Sequence, residues 1–467
     1  PPLAEPHERW CERSEIPQSE EFPPTRFLTN PRLAKELASE LFVPKENIDC
    51  GFSNKILLVY YSEEFYQQVL QKQEDTLGGR YCENYKSITC SVSTDCGGCC
   101  YSGVPYSDEL RRKQTEIEEL FRGVCPCEQI SGMYRPVWYR NKVHGVVGRK
   151  RDGGIITGIY KEGTHKIIPV DECMIEDREA DSILRELCRL FESFKYQPYD
   201  EDTKRGFMRH VLIRKGFSTG EIMVVLVTGQ VQFPSKNAFL RELLKFNPKI
   251  VTVIQNINNT STSMVLGKRN IVLHGKGYIE DVLCGCRFRI SPDSFYQINP
   301  QQTEKLYKAA IRAAGISRKD TVIDAYCGIG TIGITASRYA GRVIGVELND
   351  KAAADANINA EINNIKNIQF VNMDAGDFLV EYAKKSRADV VIMDPPRSGS
   401  DEAFLASLLK IKPRCIIYIS CNPSTQVRDV KILKKGGYMV DKCMPYDMFP
   451  HTDHIENICV LRKGTFL

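Results

Sequence analysis

The C-terminal part of the chain alternates short apolar runs with amphipathic segments of helical period. Five of these runs are rich in β-branched residues and end in a polar or reactive residue, which indicates buried strands. They are residues 321–327, 342–348, 368–374, 388–394 and 415–421, and "YMVDKCM" and "IENICVL" supply two more. Strands that alternate with helices form a parallel sheet covered on both faces. The pattern therefore predicts that residues 286–467 form a seven-stranded, Rossmann-like α/β domain with polar residues along one edge.

The preceding residues follow different patterns. Residues 86–285 mix cysteine-rich loops with strands such as "EIMVVLVTG", which predicts a central α+β domain dominated by antiparallel pairing. Residues 1–85 begin with a Pro- and Glu-rich stretch that we expect to be a mobile lead-in. They continue with helical periodicity around one short strand, "KILLVYY", and their fold is left open. The sequence thus predicts three regions.

Composition limits the classes of protein that remain. The chain has 467 residues, of which 42% are hydrophobic and 26% charged, and its net charge of +4 is only mildly basic. No apolar stretch approaches the roughly 20 residues needed to cross a bilayer, and the N-terminus lacks the apolar core of a signal peptide. In such a chain, a disulfide framework for the 18 cysteines is unexpected; metal ligation and catalysis explain some of them, and the rest are core residues. We therefore expect a cytoplasmic protein with no membrane partner.

A glycine-rich turn follows the first strand of the predicted sheet. Gly328, Gly330 and Gly333 have the spacing G-x-G-x-x-G, which allows a sharp turn and close approach of the backbone to a ligand. Glu347 ends the second strand, where a carboxylate can bind ribose hydroxyls. This arrangement suits NAD as well as S-adenosylmethionine.

Two further carboxylates help to distinguish these cofactors. Asp374 ends the third strand, and Asp394 begins "DPPRSGSD" at the end of the fourth. A carboxylate after every early strand favours a cationic ligand with an adenine, which is S-adenosylmethionine, over a pyrophosphate. The two prolines after Asp394 stiffen the backbone, so that it can hold a flat substrate in place.

A cysteine ends the fifth strand, in "IIYISCNPST". Cys421 is either a core residue, as a single cysteine usually is, or a nucleophile. Glu456 begins the last strand, which lies beside the fifth in a seven-stranded arrangement, so the two side chains could face each other across a pocket. His451, His454 and Asp453 are alternative bases. A thiolate that adds to carbon 6 of a pyrimidine makes carbon 5 electron-rich enough to take a methyl group, and a base then removes the hydrogen from carbon 5.

Five segments of the chain resemble one enzyme family. In order, they are "FRISPDSFYQINPQQTEKLY", "DAYCGIGTIG", "DPPRSG", "YISCNP" and "PHTDHIEN". Together they are similar to the RNA (uracil-5)-methyltransferases, most of all to the iron–sulfur-containing 23S ribosomal RNA enzymes. The resemblance runs from about residue 86 to the C-terminus. It implies S-adenosylmethionine-dependent methylation of uridine at carbon 5 in structured RNA, with ribosomal RNA favoured over transfer RNA. We expect a monomer.

The resemblance also implies roles for individual residues. Cys421 corresponds to the family's nucleophile and Glu456 to its base. The residues implied to hold S-adenosylmethionine and uracil are Gln297, Tyr326, Gly328 of the glycine turn, Glu347 and Asp394, with Asp374 as an adenine-side contact.

The central region contains a cluster of cysteines, "CSVSTDCGGCC". Cys90, Cys96 and Cys99 lie close together in sequence, and the distant Cys173 could complete a set of four thiolates. Four thiolates suit zinc as well as an iron–sulfur cluster, and unligated thiols are a third alternative. The resemblance favours a [4Fe–4S] cluster with an architectural or RNA-facing role. Cys100 is a rival of Cys99 as the third ligand.

Residues 134–154 interleave aromatic and basic side chains. This pattern is typical of single-stranded RNA binding, although a solvated hairpin with buried aromatics has the same composition. The target uridine must leave its helix or loop to reach Cys421, so we expect a flipped-out base. Residues 1–85 lack the alternating strands of the small RNA-binding TRAM barrel common in this family. A nicotinamide dehydrogenase and a non-catalytic RNA-binding factor are the alternatives from other classes.

Overall fold

The computed structural model describes residues 50–53, 56–59, 87–150, 152–161, 163–260, 262 and 264–464. The chain divides into two compact units, residues 1–79 and 80–467. In the first unit, strands β1 (Cys50–Ser53) and β2 (Ile56–Val59) pair antiparallel. β2 lies within the predicted strand "KILLVYY". The predicted lead-in and helices of residues 1–85 lie outside the described residues.

The second unit begins with a cysteine-rich segment that contains a short helix, α1 (Ser93–Cys96), and a longer one, α2 (Tyr106–Leu120). Helix α2 is amphipathic, and Tyr106, Leu110 and Ile117 lie on its buried face. These residues share a core with the C-terminal part of the chain rather than with the neighbouring central sheet.

A mostly antiparallel sheet of seven strands follows. The strands are β3 (Lys142–Arg149), β4 (Ile155–Tyr160), β5 (Ile167–Pro169), β6 (Met208–Lys215), β7 (Ile222–Thr228), β8 (Ile250–Ile257) and β9 (Arg269–Gly275). Their order is β5-β4-β3-β6-β7-β8-β9, and β7 pairs with β8 in parallel. Helices α3 (Arg178–Ser193) and α4 (Lys236–Phe246) pack on one face. The antiparallel character predicted for this region is confirmed.

A hairpin of β10 (Ile279–Leu283) and β11 (Cys286–Ile290) comes between this sheet and the C-terminal one. One hydrophobic cluster joins Leu212 and Met223 of the central sheet, Phe288 of the hairpin, and Val322 and Ile417 of the C-terminal sheet. Because that cluster includes residues from both sides of position 285, the two sheets share one core. The limits 1–85, 86–285 and 286–467 stay predictions.

The C-terminal sheet has the seven strands predicted for it. They are β12 (Thr321–Ala325), β13 (Arg342–Glu347), β14 (Ile368–Asn372), β15 (Val390–Met393), β16 (Cys415–Ser420), β17 (Tyr438–Tyr446) and β18 (Glu456–Lys463). Their order is β14-β13-β12-β15-β16-β18-β17. The first five are parallel, and β18 is antiparallel to both of its neighbours. The α/β prediction is therefore confirmed.

Six helices accompany this sheet: α5 (Pro300–Ala314), α6 (Thr331–Ser337), α7 (Asp350–Ile362), α8 (Ala375–Lys385), α9 (Glu402–Ile411) and α10 (Pro423–Lys435). Both α5 and α10 begin with a proline, which the first helical turn tolerates because its N–H groups have no partner within the helix. In the described part of the chain, no helix is both long and apolar enough to span a membrane.

Candidate active site

The turn between β12 and α6 places backbone at the carboxyl edge of the sheet. Gly328 and Gly330 have φ angles of 56° and 83°, in the left-handed region that favours glycine. Gly333 is needed for another reason, since a Cβ atom there would lie 2.8 Å from the Asp324 carboxylate. A Cβ atom at Gly328 would meet no atom within 4 Å, so the backbone borders open space there. The turn is thus shaped to admit a ligand.

Two carboxylates hold this turn. Asp324, at the end of β12, accepts a hydrogen bond of 2.7 Å from the Gly333 N–H, and burial raises its pKa to about 8. Glu347, at the end of β13, accepts from the N–H groups of Gly328 at 2.9 Å and Asn349 at 2.8 Å. Each carboxylate oxygen has two lone pairs, so Glu347 retains capacity to accept from ribose hydroxyls.

A cavity of about 370 Å³ opens beside the glycine turn. Six of the eight predicted catalytic and cofactor-binding residues line it: Gln297, Tyr326, Gly328, Asp394, Cys421 and Glu456. Glu347 is outside the lining but is hydrogen-bonded to Gly328. Asp374 is also outside the lining; its side chain caps α8 by accepting from Gly376 and Asp377. The structure therefore does not bring Asp374 to the cavity.

Strand register brings Cys421 and Glu456 together. Ser420 on β16 pairs with Asn457 on the antiparallel strand β18. Cys421 directly follows the last residue of β16, and Glu456 is the first residue of β18, so the two flank the same end of the pair. Both side chains line the cavity. The strand register therefore brings Cys421 and Glu456 to the same cavity, at the ends of adjacent strands.

Burial controls the charge of this pair. The Glu456 side chain is 2% exposed, and burial, followed by the charge of Asp394, raises its pKa well above the ordinary value. Burial raises the pKa of Asp394 to about 7. The pKa of Cys421 is raised by burial first and then by the charges of Glu456 and Asp394. Near neutral pH, Cys421 is therefore a thiol, and burial favours the neutral form of Glu456.

The three rival bases lie outside the cavity lining. His451 is 2% exposed, and burial lowers its pKa to about 4, so that it is neutral. Asp453 is exposed. The His454 ring is 3.0 Å from the Arg397 guanidinium and 5.9 Å, centre to centre, from the Phe449 ring. Among these carboxyl and imidazole groups, Glu456 is the one beside Cys421.

The sequence interpretation missed Arg397. This residue lines the cavity, and its hydrogen bond and charge lower the pKa of Cys421, against the effect of burial. Asn422 fixes the loop that carries Arg397, because its side-chain amide donates to the Arg397 carbonyl at 2.9 Å. Both residues lie in segments that the sequence singles out, "DPPR" and "SCNP", but the sequence does not show that the two segments meet.

Aromatic side chains complete the walls. Phe295, Tyr307 and Phe449 line the cavity, and none of them was predicted as a site residue. The Tyr326 backbone has a φ of 64°, which is unusual outside glycine, and its ring packs against Phe404 at 5.4 Å. A cavity with aromatic walls, carboxylates and a thiol suits a flat, polar ring beside a cationic group.

The predicted cluster ligands lie in one neighbourhood. The pKa of Cys99 is raised to about 12 by burial and then by the charges of Cys96 and Cys90, which are close to it. Cys173 is near enough to Cys99 for the two to interact as well. In the part of the chain that the structure describes, no group of three or more Cys, His, Asp or Glu side chains is arranged to hold a metal ion. The metal site stays a prediction.

The aromatic residues of the segment 134–154 divide between surface and core. Tyr139 is 3% exposed and donates a hydrogen bond to the Pro450 carbonyl, whereas Tyr134 is 62% exposed. The Trp138 ring has the guanidinium of Arg135 at 4.5 Å and that of Arg178 at 3.4 Å. The surface part of this segment thus keeps the mixed aromatic and basic character expected for RNA contact.

The sheet order, the glycine turn and the carboxylates at the strand ends define the class of S-adenosylmethionine-dependent methyltransferases. Residues 257–464 match the family described as tRNA (Uracil-5-)-methyltransferase. A relative from Halalkalibacterium halodurans, named an uncharacterized RNA methyltransferase, is 42% identical over 80% of this chain and 82% of its own length. One from Listeria monocytogenes with the same description is 40% identical over 80% and 83% of the two chains.

A solved structure is similar over most of the chain. It is the Pyrococcus abyssi tRNA (uracil-54, C5)-methyltransferase in complex with S-adenosyl-L-homocysteine, with a TM-score of 0.64 and 27% identity over 77% of this chain and 84% of that one. The chain belongs to the RNA (uracil-5-)-methyltransferase family and is an S-adenosylmethionine-dependent RNA methyltransferase. The dehydrogenase and the non-catalytic RNA-binding factor considered from the sequence are therefore set aside.

Proposed function

We propose that this enzyme methylates carbon 5 of a uridine in 23S ribosomal RNA through a covalent bond between Cys421 and the uracil ring. The observation that carries the proposal is that Cys421 and Glu456 meet in one cavity beside the glycine turn. A thiol, a buried carboxyl group and a methyl-donor site in one cavity are what carbon-5 methylation of a pyrimidine requires.

Cys421 acts first as a nucleophile. Its sulfur adds to carbon 6 of the uracil, and the ring becomes an enolate with negative character at carbon 5. S-adenosylmethionine, when bound, supplies the electrophilic methyl group. Glu456 then removes the proton from carbon 5, the electron pair re-forms the carbon 5–carbon 6 double bond, and the Cys421 thiolate leaves. The methylated uridine is released, and the proton stays on Glu456 until the site opens.

The surrounding residues hold the reactants. We assign Gln297, Tyr326 and Gly328 to cofactor and uracil binding because they line the cavity around the glycine turn. Asp394 faces the same cavity, where a carboxylate favours a cationic donor. Glu347 lies outside the cavity lining and contributes by accepting the hydrogen bond of the Gly328 N–H. Asp374 is kept as a more distant contact on the adenine side.

The charge states of the free enzyme suit this sequence of steps. Burial keeps Cys421 protonated in the free enzyme, so the thiol reacts only slowly with other electrophiles. The positive charge of Arg397 beside the sulfur stabilises the thiolate as it forms. Glu456 must lose its proton before it can act as the base, and the charge of Arg397 lowers its pKa as well.

Ribosomal RNA is our first candidate substrate, and transfer RNA is the alternative. The sequence resemblance favours the former, whereas the solved relative from Pyrococcus abyssi is named a transfer RNA enzyme. In either RNA the target uridine must be flipped out, because Cys421 lies inside a cavity with aromatic walls. We propose a monomer in the cytoplasm.

The decisive experiment compares two variants on a uridine-containing RNA substrate. Cys421→Ala should abolish methyl transfer while S-adenosylhomocysteine still binds. Glu456→Gln should lower turnover about 10²- to 10⁴-fold and accumulate a protein–RNA adduct that survives denaturing electrophoresis, because the thiolate cannot leave until the carbon 5 proton is removed.

Cys415→Ala is the matched control for that experiment, since Cys415 is a fully buried core residue at the other end of β16. Its catalytic rate should stay near that of the wild type. Unchanged turnover in Cys421→Ala would refute the nucleophile. Comparing 23S ribosomal RNA and transfer RNA as methyl acceptors then identifies the substrate.

For the central region we propose a [4Fe–4S] cluster on Cys90, Cys96, Cys99 and Cys173, with zinc as the less favoured alternative. The proximity of these thiols supports the assignment. Such a cluster would tie two distant segments together, and it takes no part in methyl transfer because that reaction transfers no electrons.

Protein purified without oxygen should contain about four irons and four sulfides and absorb broadly near 400 nm, as expected for this cluster type. Cys96→Ser should lose the iron, whereas Cys188→Ser, at a partly buried cysteine of α3, should keep it. Colourless wild-type protein with one zinc per chain would contradict the cluster.

A further inference from the structure

A second group of cysteines lies away from the active site, between residues 121–128 and strands β17 and β18. Cys125 and Cys127 come from the loop after α2, Cys443 from β17 and Cys459 from β18. Cys443 is the centre of the group, because its sulfur contacts the Cys127 sulfur and its residue pairs with Cys459 across the two strands. We propose that Cys127 and Cys443 form a reversible disulfide when the enzyme meets a peroxide.

The two sulfur atoms are already close. The Sγ atoms of Cys127 and Cys443 are 3.4 Å apart, although 316 positions separate the residues in sequence. A disulfide bond is about 2.05 Å long, so the sulfurs need to approach by little more than 1 Å. Side-chain rotation is enough for such a movement, provided that the backbones are already in place.

The backbone does hold the two segments in register. The Glu128 N–H donates to the Cys443 carbonyl at 2.8 Å, and the Ser131 N–H donates to the Pro445 carbonyl at 2.9 Å. Residues 128–131 therefore run along β17, which is an edge strand of the C-terminal sheet. The loop is also held by Lys434, whose amino group donates to the Val124 carbonyl at 2.6 Å. Oxidation would thus fix a contact that exists in the reduced protein.

The two thiols differ in a way that suits a reactive and a resolving partner. Cys127 is half-buried, and its hydrogen bond with Cys443 lowers its pKa, which increases the fraction of thiolate. Cys443 is fully buried, and its hydrogen bonds with the neighbouring thiols raise its pKa. Cys443 is therefore protected from direct attack and stays a thiol until its neighbour has been oxidised.

The chemistry balances with hydrogen peroxide as the oxidant. The Cys127 thiolate attacks one peroxide oxygen, the O–O bond breaks, and sulfenic acid and hydroxide form; the hydroxide takes up a proton to give water. The Cys443 sulfur then attacks the sulfenic sulfur, its proton leaves, and a second water is released as the S–S bond forms. Both thiols are oxidised to one disulfide, and the peroxide is reduced to two waters.

Cys459 competes less well for Cys443. The two residues form a cross-strand pair between β17 and β18, and the Asn457 amide donates to the Cys443 sulfur at 3.4 Å and the Cys459 sulfur at 3.5 Å. These contacts hold the Cys459 sulfur within the sheet, and its side chain is fully buried. A peroxide therefore reaches the loop side of the group first.

The test is peptide mapping of the full-length enzyme. Reduced protein is treated with hydrogen peroxide, alkylated and cut with trypsin and a Glu-specific protease. Cleavage after Arg122, Glu128, Lys442 and Glu456 yields residues 123–128 and residues 443–456, and separates Cys443 from Cys459. We expect these two peptides to be joined, two hydrogens lighter than their sum, and to separate again on reduction.

Cys125 lies on the same peptide as Cys127, so serine variants identify the partner. Cys125→Ser should still give the linked pair after peroxide treatment, and Cys127→Ser should lose it. Circular dichroism of Cys127→Ser verifies that the protein is folded. No link in the wild type, a link that persists in Cys127→Ser, or a link from residues 123–128 to residues 457–462 would each overturn the assignment.

Discussion

At the scale of single residues, the site depends on how strongly each group is taken out of water. Burial raises the pKa of Glu456, Asp394 and Cys421 together, which favours the neutral forms of three groups that would repel one another as anions. Arg397 is the positive group that acts on this set. Although Arg397 lies within the segment "DPPRSG", the sequence does not show that its charge acts on the Cys421 thiol.

Arg397→Gln should therefore impair thiolate formation. With the guanidinium removed, the pKa of Cys421 rises further, so the pH profile of its alkylation by iodoacetamide should move to higher pH. A hydrogen bond to a charged group contributes about 1.5–3 kcal/mol, which corresponds to a loss of about 10- to 100-fold in methyl transfer at neutral pH.

The exposed Arg111→Gln is the control for that substitution, because Arg111 lies on the surface of α2 and pairs there with Asp108. Its alkylation profile should coincide with the wild type. If the Arg397→Gln profile does so too, Arg397 does not act on the thiol.

At the scale of elements, one helix anchors the loop that leads into the last strand. Lys113 of α2 is completely buried and lies 2.7 Å from both Glu109 and Asp447. The Asp447 carboxylate also accepts from the Tyr106 hydroxyl at 2.6 Å, and Glu109 accepts from the His451 N–H at 2.8 Å. Helix α2 thus fixes both ends of the stretch that contributes Phe449 to the cavity wall.

Lys113→Ala should be strongly destabilising, because it leaves two buried carboxylates without their cation. Breaking a buried ion pair in this way costs about 3–5 kcal/mol. We expect the free energy of unfolding in urea to fall by that amount, with Arg111→Ala, three-quarters exposed on the same helix, changing it by about 0.5 kcal/mol or less. If the free energy of unfolding of Lys113→Ala decreases by less than about 1 kcal/mol, the two carboxylates do not depend on Lys113.

At the scale of the whole molecule, the central and C-terminal sheets are joined by a common core. Met223 of β7, the hairpin residue Phe288 and Val322 of β12 belong to the same hydrophobic cluster. Neither sheet could be removed without exposing that cluster to water. The central sheet and the C-terminal sheet are therefore expected to unfold together rather than as separate domains.

Met223→Ala tests this cooperativity. Truncation of a buried methionine costs about 2–5 kcal/mol. Because the two sheets share the core, both should become less stable. Native-state hydrogen exchange should show the slowest amides of residues 222–228 and 321–325 losing the same free energy of opening. Val272→Ala, at a half-exposed position of β9, should change neither. A loss confined to residues 222–228 would mean that the sheets open independently.

Local sequence was sufficient for much of the C-terminal domain. The seven strands, the glycine turn and Cys421 at its strand end follow from hydrophobic period and turn chemistry, which act between near neighbours. Because carboxyl ends of parallel strands meet at one edge, the convergence of Asp394 and Cys421 followed as well. Asp374 stays a predicted adenine-side contact, but its position at a strand end did not place it in the cavity lining; its carboxylate instead caps the following helix.

Only the tertiary structure decided which distant groups touch. That Arg397 lines the same cavity as Cys421, that Lys113 joins two carboxylates inside the protein, and that Cys127 meets Cys443 are relations between segments that are separated in sequence. Periodicity records whether a residue faces the core, but not which residue it faces there. Packing of whole elements determines those neighbours, and with them the charge state of every buried group in the site.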